Sequence, residues 1–562
     1  MHVPLRIHIM YYCAVMFVRC SVDYIYTRKL KRKMGLIAIV TFWMASFLCM
    51  AVPIEAARIL AIIPIPSYSH QIPYRPIWIT LSQRGHEVVV LTTDPINNSN
   101  LTNLTEIDFK HNYEQIQRLD FLKNILNGET WITTQQEQIE PMGHVITENI
   151  YQHDKVRKMY APNSDQKFDV VIAEVLITPG LYALAHRFNA PLIGILSLGL
   201  VSYNMYLQGI PVLPSHPSSW EMRVNTDLNL SLWKRITNFI DQWYHLYHVL
   251  NNFYPHQQML AEKYLGKNIP DISDLERNIS IILYNQQEVL SFVRPTTPNF
   301  IPFGNLHVSK KSADLPKDLK DFMADAPNGF IYMSLGTNVK ISSFPNHVLD
   351  IFIDVFASLP YKIVWKLDKE LPNKLDNIYT AQWFAQQSIL AHPNIRMFIY
   401  QGGLQSTEEA VHYAVPLLGL PILADQFTQV LKMVTLGVAK KLNVISITKE
   451  DLNASIIEII SDKRYKERML ELKALNEDKP YNLLENTIWW IEFVIRHKSA
   501  LHLHTSIANE PWYKRYDTDI IAILSIVTFI ILLSALIIIY KLIKISFTCF
   551  TKTSVDTKKK IN

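Results

Sequence analysis

A glycine pair, Gly402-Gly403, stands where a predicted strand gives way to a predicted helix. The apolar run 395–399 is typical of a buried strand, and the following helix is expected to open at Ser406 and Thr407. Backbone N–H groups at such a turn, together with the positive end of the helix, attract an anion such as phosphate. Most Gly-Gly pairs are only tight turns or helix caps, so the phosphate interpretation depends on the neighbouring residues.

Residues that suit the rest of a nucleotide sugar flank this glycine pair in order. Trp383 offers a flat ring on which a base can stack, and Gln386 and Glu409 offer polar groups for ribose hydroxyls. Asp425-Gln426 offers acceptors and a donor for a second polyol. A further turn at the end of a buried strand, Ser334–Thr337, can donate to phosphate. The sequence therefore predicts a nucleotide-sugar site.

These motifs resemble the signature of the UDP-glycosyltransferases, the family that includes the UDP-glucuronosyltransferases. The pattern W-x-x-Q, H-P, [HQ]-G-G, S-x-x-E, P-x-x-x-x-P and D-Q matches at Trp383, Gln386, His392-Pro393, Gln401-Gly402-Gly403, Ser406, Glu409, Pro416, Pro421 and Asp425-Gln426. The resemblance covers the chain from Arg58 to the C-terminus. It implies that the donor, a UDP-sugar co-substrate, is bound by Thr337, Trp383, Gln386, Gln401, Gly403, Ser406, Glu409, Asp425 and Gln426.

No cofactor is expected, and no metal either, because a helix dipole and turn amides can neutralise a diphosphate. The only Asp-x-Asp sequence, residues 517–519, adjoins the predicted membrane segment and lies far in sequence from the donor motif. We therefore assign it no metal.

The first βαβ unit carries the expected catalytic base. Strand 58–65, helix 72–84 and strand 87–92 enclose a loop with His70, at the strand edge where open α/β sheets bind ligands. A lone loop His is usually a surface residue, but the resemblance implies that His70 deprotonates the acceptor hydroxyl. Glu174, at the end of another strand, is expected to orient this base. Relatives commonly have Asp there, and the alternative is a solvated strand-end Glu.

The resemblance implies an α/β chain with the GT-B fold, in which two Rossmann-like domains face a cleft, plus one C-terminal transmembrane helix. The expected segments are an extension of unknown role (1–33), a signal peptide (34–57), an acceptor-binding domain (58–300), a linker (301–316), a UDP-sugar domain (317–498), a juxtamembrane segment (499–519), a transmembrane helix (520–540) and a cytosolic tail (541–562). Aromatic helical stripes in 181–299 are interpreted mainly as core, beside the acceptor pocket that the resemblance implies.

Both ends of the chain indicate a membrane protein of the secretory pathway. A basic segment precedes the apolar run 35–52 and small residues, which predicts signal cleavage near Ala56 or Ala57; an uncleaved anchor is the alternative. Residues 520–540 are uncharged and long enough to span a bilayer, although a buried core helix passes the same test. Lys541 and the terminal Lys559-Lys560-Ile561-Asn562, which resembles a dilysine retrieval signal, favour a type I protein of the endoplasmic reticulum with a luminal body.

The composition excludes several other classes of function. Each terminal segment contributes +5 to the charge, so residues 58–519 carry −5, which argues against nucleic-acid binding. The four cysteines, Cys13, Cys20, Cys49 and Cys549, lie outside the luminal body, which excludes disulfides, structural zinc and cysteine nucleophiles there. Six glycosylation sequons are present, and some are expected to be used. The oligomeric state stays open between monomer, homo-oligomer and hetero-oligomer.

Two functions remain open at this point. The first is an inverting hexosyltransferase, with glucose favoured over glucuronate as the donor sugar, that conjugates small lipophilic acceptors as in detoxification. The second is a catalytically weakened relative that binds nucleotide sugar or a hydrophobic ligand, or partners an active paralogue. The departures from the family pattern that support the second are Glu174, Ala385, Gln401 and Gln429.

Overall fold

The computed structural model describes residues 56–119, 131–222, 228–309, 313–337, 339, 341, 344–371 and 375–559. The predicted extension and nearly all of the predicted signal peptide lie outside these residues, as do the last three residues of the predicted retrieval signal.

A parallel sheet of seven strands forms the first domain, in the order β3-β2-β1-β4-β5-β6-β7. Its strands are β1 (Arg58–Ile63), β2 (Glu87–Thr92), β3 (Leu104–Asp108), β4 (Val170–Glu174), β5 (Leu192–Leu196), β6 (Ile282–Asn285) and β7 (Phe300–Phe303). Strands β4 and β5 are buried at every residue. Their apolar runs are continuous because helices cover both faces of the sheet.

A second parallel sheet, of six strands, has the order β10-β9-β8-β11-β12-β13. Its strands are β8 (Phe330–Ser334), β9 (Lys362–Lys366), β10 (Ile378–Ala381), β11 (Ile395–Tyr400), β12 (Leu417–Gly419) and β13 (Ala439–Lys441). Separate apolar clusters lie on its two faces, so this domain has its own core.

Helices cover and connect the two sheets. In the first half they are α1 (Tyr68–Gln71), α2 (Arg75–Gln83), α3 (Tyr113–Gln117), α4 (Trp131–Thr134), α5 (Glu140–Gln152), α6 (Asp154–Tyr160), α7 (Ala183–Phe188), α8 (Ser202–Leu207), α9 (Leu232–His248), α10 (Tyr254–Leu265) and α11 (Ile272–Arg277). In the second half they are α12 (Lys317–Ala324), α13 (Asn346–Ser358), α14 (Gln386–Leu390), α15 (Leu404–His412), α16 (Gln426–Thr435), α17 (Lys449–Ser461), α18 (Lys463–Glu477), α19 (Leu483–His497), α20 (Trp512–Arg515) and α21 (Thr518–Lys559).

Several boundaries differ from the sequence-based expectations. His70 lies in the helical turn α1 rather than in a loop, and α2 starts at Arg75 because Pro76 occupies its first turn, where proline is favoured. Helix α15 starts at Leu404, two residues before the expected Ser406, because Gly403 is its N-cap. Residues 301–303 of the predicted linker belong to β7, where apolar side chains pair with β6.

Helix α19 packs against the first domain although it follows the second in sequence. Its buried Ile488, Ile491 and Val494 join the cluster that contains residues of β1 and α2. Arg84 at the end of α2 binds Glu492 at 2.9 Å and also binds Glu485. The chain therefore crosses between the domains twice, once through residues 304–316 and once through residues 478–482.

Helix α21 continues well beyond the predicted span 520–540. Its segment Thr518–Cys549 contains an 18-residue stretch that has a mean hydropathy of 3.1 and is not buried by the protein, so by length and composition the segment can cross a membrane. No glycine or proline follows residue 540, which explains why the helix extends into the predicted tail. The predicted span is contained within this longer helix.

Close packing between α16 and β12 predicts a sensitive position at Gly419. A Cβ there would lie 2.5 Å from Cγ1 of Val430, so we expect Gly419→Ala to destabilise the second domain by about 1–3 kcal/mol through overpacking. The midpoint of thermal unfolding should fall by about 2–4 °C per kcal/mol, measured by a thermal-shift assay in detergent.

The double variant Gly419→Ala/Val430→Ala should recover part of that loss, because it removes the methyl groups that the new Cβ meets. Gly199→Ala is the matched control, since its Cβ would meet nothing closer than 3.8 Å. An equal fall in both single variants would contradict the packing argument.

Candidate active site

The carboxyl ends of the two sheets face each other across a cleft that contains a cavity of about 550 Å³. His70, after β1, and Ser197, after β5, line it from the first domain. Ser334, at the end of β8, and Gln401, after β11, line it from the second. Ligands of open α/β sheets bind at this edge, and here two such edges share one cavity.

His70 is held by a buried carboxylate. Its Nδ1 lies 2.9 Å from Oε1 of Glu174 and 2.8 Å from Oγ of Ser197. The hydroxyl of Tyr74 donates to the same Glu174 oxygen at 3.5 Å. Because Nδ1 is engaged on the inner side, Nε2 is the ring nitrogen left for a ligand. The longer Glu side chain therefore reaches the imidazole although relatives commonly have Asp.

Burial raises the pKa of Glu174, and hydrogen bonds from His70, Tyr74 and Ser197 reduce that rise. The pKa of Tyr74 is raised well above its usual value by its own burial and by the nearby carboxylate. Tyr74 thus remains a neutral donor. The Oε2 atom of Glu174 is buried without a partner, so a positive charge on His70 is the interaction that would best compensate this carboxylate.

On the opposite wall, three predicted donor residues contact one another. Gln386 donates from Nε2 to Ser406 Oγ at 2.9 Å and to Glu409 Oε2 at 2.6 Å, and it accepts from the Tyr332 hydroxyl at 3.2 Å. Gln387, which the sequence did not single out, donates to the other Glu409 oxygen at 3.2 Å. This network presents carboxylate and hydroxyl groups to the cavity.

Gln401 lies directly against the turn after β8. A Cβ on Gly336, whose φ is +75°, would come within 2.1 Å of Nε2 of Gln401, so only glycine fits beneath the amide. Thr337 and Gly403 line the cavity beside it. The Oε1 atom of Gln401 is buried without a hydrogen-bond partner. Gln401, Gly403 and the Gly336–Thr337 turn thus meet where the sequence predicts phosphate.

Asp425 and Gln426 line the cavity at the start of α16. Burial raises the pKa of Asp425 to about 6, although His70 across the cleft and Gln429 oppose the rise. The Oε1 atom of Gln426 accepts from the backbone N–H groups of Ile422 and Leu423 at 2.9 and 3.0 Å. Gln426 therefore offers its amide N–H groups to a ligand, whereas its carbonyl oxygen is used to shape the turn.

Trp383 is 56% exposed and contacts both sides of the cleft. Its ring meets Tyr68 of the first domain edge-on at 5.3 Å, and Nζ of Lys366 lies 4.4 Å from its centroid. Lys366 also donates to the Gly336 carbonyl oxygen at 2.8 Å. Burial lowers the pKa of Lys366 to about 8. Among the described residues that line the cavity, Lys366 is the one Lys or Arg.

Sequence reasoning missed Lys366. The available signal was its position at the carboxyl end of β9, the strand beside β8 in a parallel sheet. Among the described residues, no cluster of three His, Cys, Asp or Glu side chains is arranged to hold a metal ion.

The first-domain wall of the cavity is mainly apolar. Its aromatic and aliphatic lining residues include Trp131, Met142, Leu176, Tyr203 and Trp220. The rings of Trp131 and Trp220 lie 5.8 Å apart, and both indole N–H groups are buried without a partner. This wall suits an apolar ligand that carries a hydrogen-bond acceptor.

The family model described as "UDP-glucoronosyl and UDP-glucosyl transferase" matches residues 58–560. UDP-glucosyltransferase 2 of Dactylopius coccus is 31% identical over 490 residues, which cover 84% of this chain and 91% of that protein. UDP-glucuronosyltransferase 2B15 of Homo sapiens is 28% identical over 517 residues, 88% of this chain and 93% of that protein.

Solved structures share the fold at low sequence identity. The glycotransferase of kitacinnamycin aligns with a TM-score of 0.51 and 16% identity, over 79% of this chain and 99% of its own. Arabidopsis thaliana UGT89C1 in complex with quercetin aligns with a TM-score of 0.50 and 16% identity, over 78% and 100%. The two parallel sheets thus form the GT-B fold, and the chain belongs to the UDP-glycosyltransferase family of enzymes.

Proposed function

We propose that the protein transfers a hexosyl group, glucose in preference to glucuronate, from a UDP-sugar to a hydroxyl of a small lipophilic acceptor, with inversion at the anomeric carbon. The observation that carries this proposal is that His70, paired with buried Glu174, shares one cavity with Asp425 and with an apolar wall. Base, donor groups and acceptor wall thus meet at a single place.

In the proposed reaction, Nε2 of His70 takes the proton of the acceptor hydroxyl. The acceptor oxygen forms a bond to the anomeric carbon while the bond from that carbon to the diphosphate breaks, and the electron pair leaves with UDP. Glu174 stabilises the imidazolium, since the two groups are 2.9 Å apart and the carboxylate is buried. The imidazolium later releases its proton to solvent.

Donor roles follow from position and chemistry. Trp383 stacks against uracil, and the Gln386–Ser406–Glu409 network binds ribose. Gly403, Thr337 and Gln401 donate to the diphosphate. The neutral amide of Gln401 adds no positive charge to balance the diphosphate. We therefore assign that role to Lys366, because Lys366 and Gln401 both contact Gly336.

A neutral sugar fits the far end of the site better than a uronate. Asp425 and Gln426 would bind sugar hydroxyls there, and a second carboxylate beside Asp425 would be repelled. Several relatives are named UDP-glucosyltransferases, among them the ecdysteroid enzyme of Spodoptera littoralis nuclear polyhedrosis virus, which is 28% identical over 83% of this chain and 93% of its own. Arg294 and Lys432 line a separate cavity of about 30 Å³, which Asp425 also lines, and neither residue lines the main cavity.

The proposed location is the membrane of the endoplasmic reticulum, with α21 as the anchor, the body in the lumen and the C-terminus in the cytosol. The support is the apolar segment Thr518–Cys549, followed by a basic end. A catalytically weakened relative is the second candidate function, favoured by the neutral amide of Gln401 beside the phosphate turn.

Competition between donors tests the sugar assignment. Microsomes containing the protein should convert a phenolic acceptor faster with UDP-glucose than with UDP-glucuronate at equal concentrations, as measured by chromatography of the conjugates. A faster reaction with UDP-glucuronate would overturn the preference for glucose. Arg294 and Lys432 would then be the next residues to mutate.

His70→Ala should lower kcat by roughly 10²–10⁴-fold because the general base is lost, while UDP binding stays unchanged. His186→Ala is the matched control, since His186 is exposed on α7 of the same domain. Conjugate formation that is equal in both variants would refute the assignment of the base. A wild-type protein that binds UDP but forms no conjugate would favour the second candidate function.

The affinity for UDP-sugar should have a maximum between about pH 6 and about pH 8. Above pH 8, Lys366 loses its charge, and below pH 6, Asp425 becomes protonated and accepts sugar hydroxyls less well. Lys366→Arg should remove the alkaline decrease, because Arg stays protonated. Lys366→Met should weaken binding of UDP more than binding of uridine, as measured by calorimetry. Equal losses for both ligands would assign Lys366 to the base instead.

A further inference from the structure

Helix α9 has an inverted pattern of burial. Asn238, Gln242 and His245 are fully buried, whereas Trp233 is 74% and Tyr247 65% exposed. The exposed apolar side chains define what we call the α9 face: Trp233, Ile236, Phe239, Ile240, Tyr244 and Tyr247. A helix surrounded by water turns such residues inward. The exposed apolar side of α9 therefore indicates contact with something other than water.

The α9 face is one continuous stripe. Trp233, Ile236, Ile240, Tyr244 and Tyr247 are spaced by three or four residues, which places them on the same side of a helix. The polar residues occupy the opposite side and make hydrogen bonds within the protein. Gln242 donates to Ser202 Oγ at 2.9 Å, and Asn238 donates to the Pro214 carbonyl oxygen at 3.3 Å. A half-turn of α9 would therefore break these buried hydrogen bonds.

The segment that leads into α21 contacts this same helix. The ring of Trp243, on α9, lies 6.4 Å from Trp512 and 5.6 Å from Tyr516. Arg515 donates to the Tyr206 carbonyl oxygen at 2.6 Å, which attaches the segment to the first domain. Only Asp517 separates Tyr516 from the start of α21 at Thr518. The α9 face is thus adjacent to the point where the chain would enter a membrane.

The composition of the α9 face also matches a lipid interface. Trp and Tyr concentrate at the boundary between headgroups and acyl chains, where an apolar ring and a polar atom are both accommodated. Trp512 and Tyr513, next to α21, are exposed aromatic residues of the same kind. A partner of this description is a bilayer surface, continuous with the one that α21 would cross.

We propose that α9 lies in the interfacial layer of the membrane, with the α9 face among lipid headgroups and the upper acyl chains. This inference rests on the proposed insertion of α21, which brings the body to the bilayer. Helices with one strongly apolar face bind membranes in this orientation. The bound helix adds a second attachment and fixes which side of the first domain faces the lipid.

The test uses the full chain in phosphatidylcholine vesicles, with Cys13, Cys20, Cys49 and Cys549 replaced by Ser and one environment-sensitive fluorophore attached to a new cysteine. Ile240→Cys reports on the α9 face. Leu475→Cys, on α18 of the second domain, is the matched control, since both native side chains are apolar and about 60% exposed. Ile531→Cys reports on insertion of α21. Retained UDP binding verifies the fold of each variant.

We expect the label at 240 to be quenched by nitroxide-bearing lipid and shielded from aqueous iodide, and the label at 475 to behave in the opposite way. Equal iodide quenching at 240 and 475 overturns the proposal. Shielding at 240 without quenching by lipid also overturns it, because the face is then covered by protein such as a second copy.

The label at 531 tests insertion of α21 independently of the docking of α9. Lipid quenching at 531 alone supports the anchor and refutes interfacial docking of α9. Lipid quenching at 240 alone supports docking and refutes the anchor.

Discussion

The buried carboxylate of Glu408 attaches the donor-binding helix α15 to the first domain. It accepts hydrogen bonds from the Gln287 side chain and the Asn305 backbone N–H, both at 3.0 Å, and from Asn285 at 3.4 Å. Burial raises the pKa of Glu408, and His307 and these donors oppose the rise. A buried charge without such partners would be strongly unfavourable, so the two domains can meet here in few other ways. The proposed alignment of His70 with Asp425 depends on this attachment.

The backbone beside Glu408 explains one departure from the family pattern. The resemblance to the UDP-glycosyltransferases implies Gly-Gly where this chain has Gly304-Asn305. A Cβ on Gly304 would lie 2.5 Å from Gln287, so the first glycine is required. Asn305 has a φ of +59°, a left-handed conformation that Asn tolerates better than most residues. Ala385, which replaces a proline, keeps a φ of −72° that proline would also adopt. Neither Asn305 nor Ala385 prevents the backbone conformation that the family pattern implies.

The sequence predicted local structure well because the signature is a contiguous strand, turn and helix. Prediction was weaker wherever the relevant neighbours come from separate segments. Lys366 is distant in sequence from both Gly336 and Trp383, which follow β8 and β10, and the parallel order β10-β9-β8 brings them together. Glu408 was not predicted because the family pattern contains the adjacent Glu409 and not Glu408 itself.

The aromatic stripe of α9 was interpreted as core because apolar stripes of helices usually face the protein interior, and that interpretation was wrong for its exposed side chains. Spacing identifies a stripe but does not identify its surroundings. The exposure of α9 follows from the hydrogen bonds that Asn238 and Gln242 make inside the domain, and these need the tertiary structure to be seen.

The two crossings between the domains have a mechanical consequence. Residues 304–316 carry the chain forward, and residues 478–482 return it to α19, which is packed in the first core. Each connection limits how far the two domains can separate at the place where the chain crosses. Exchange of UDP-sugar for UDP therefore takes place between domains that are joined at two places, which restricts their relative movement more than a single connection would.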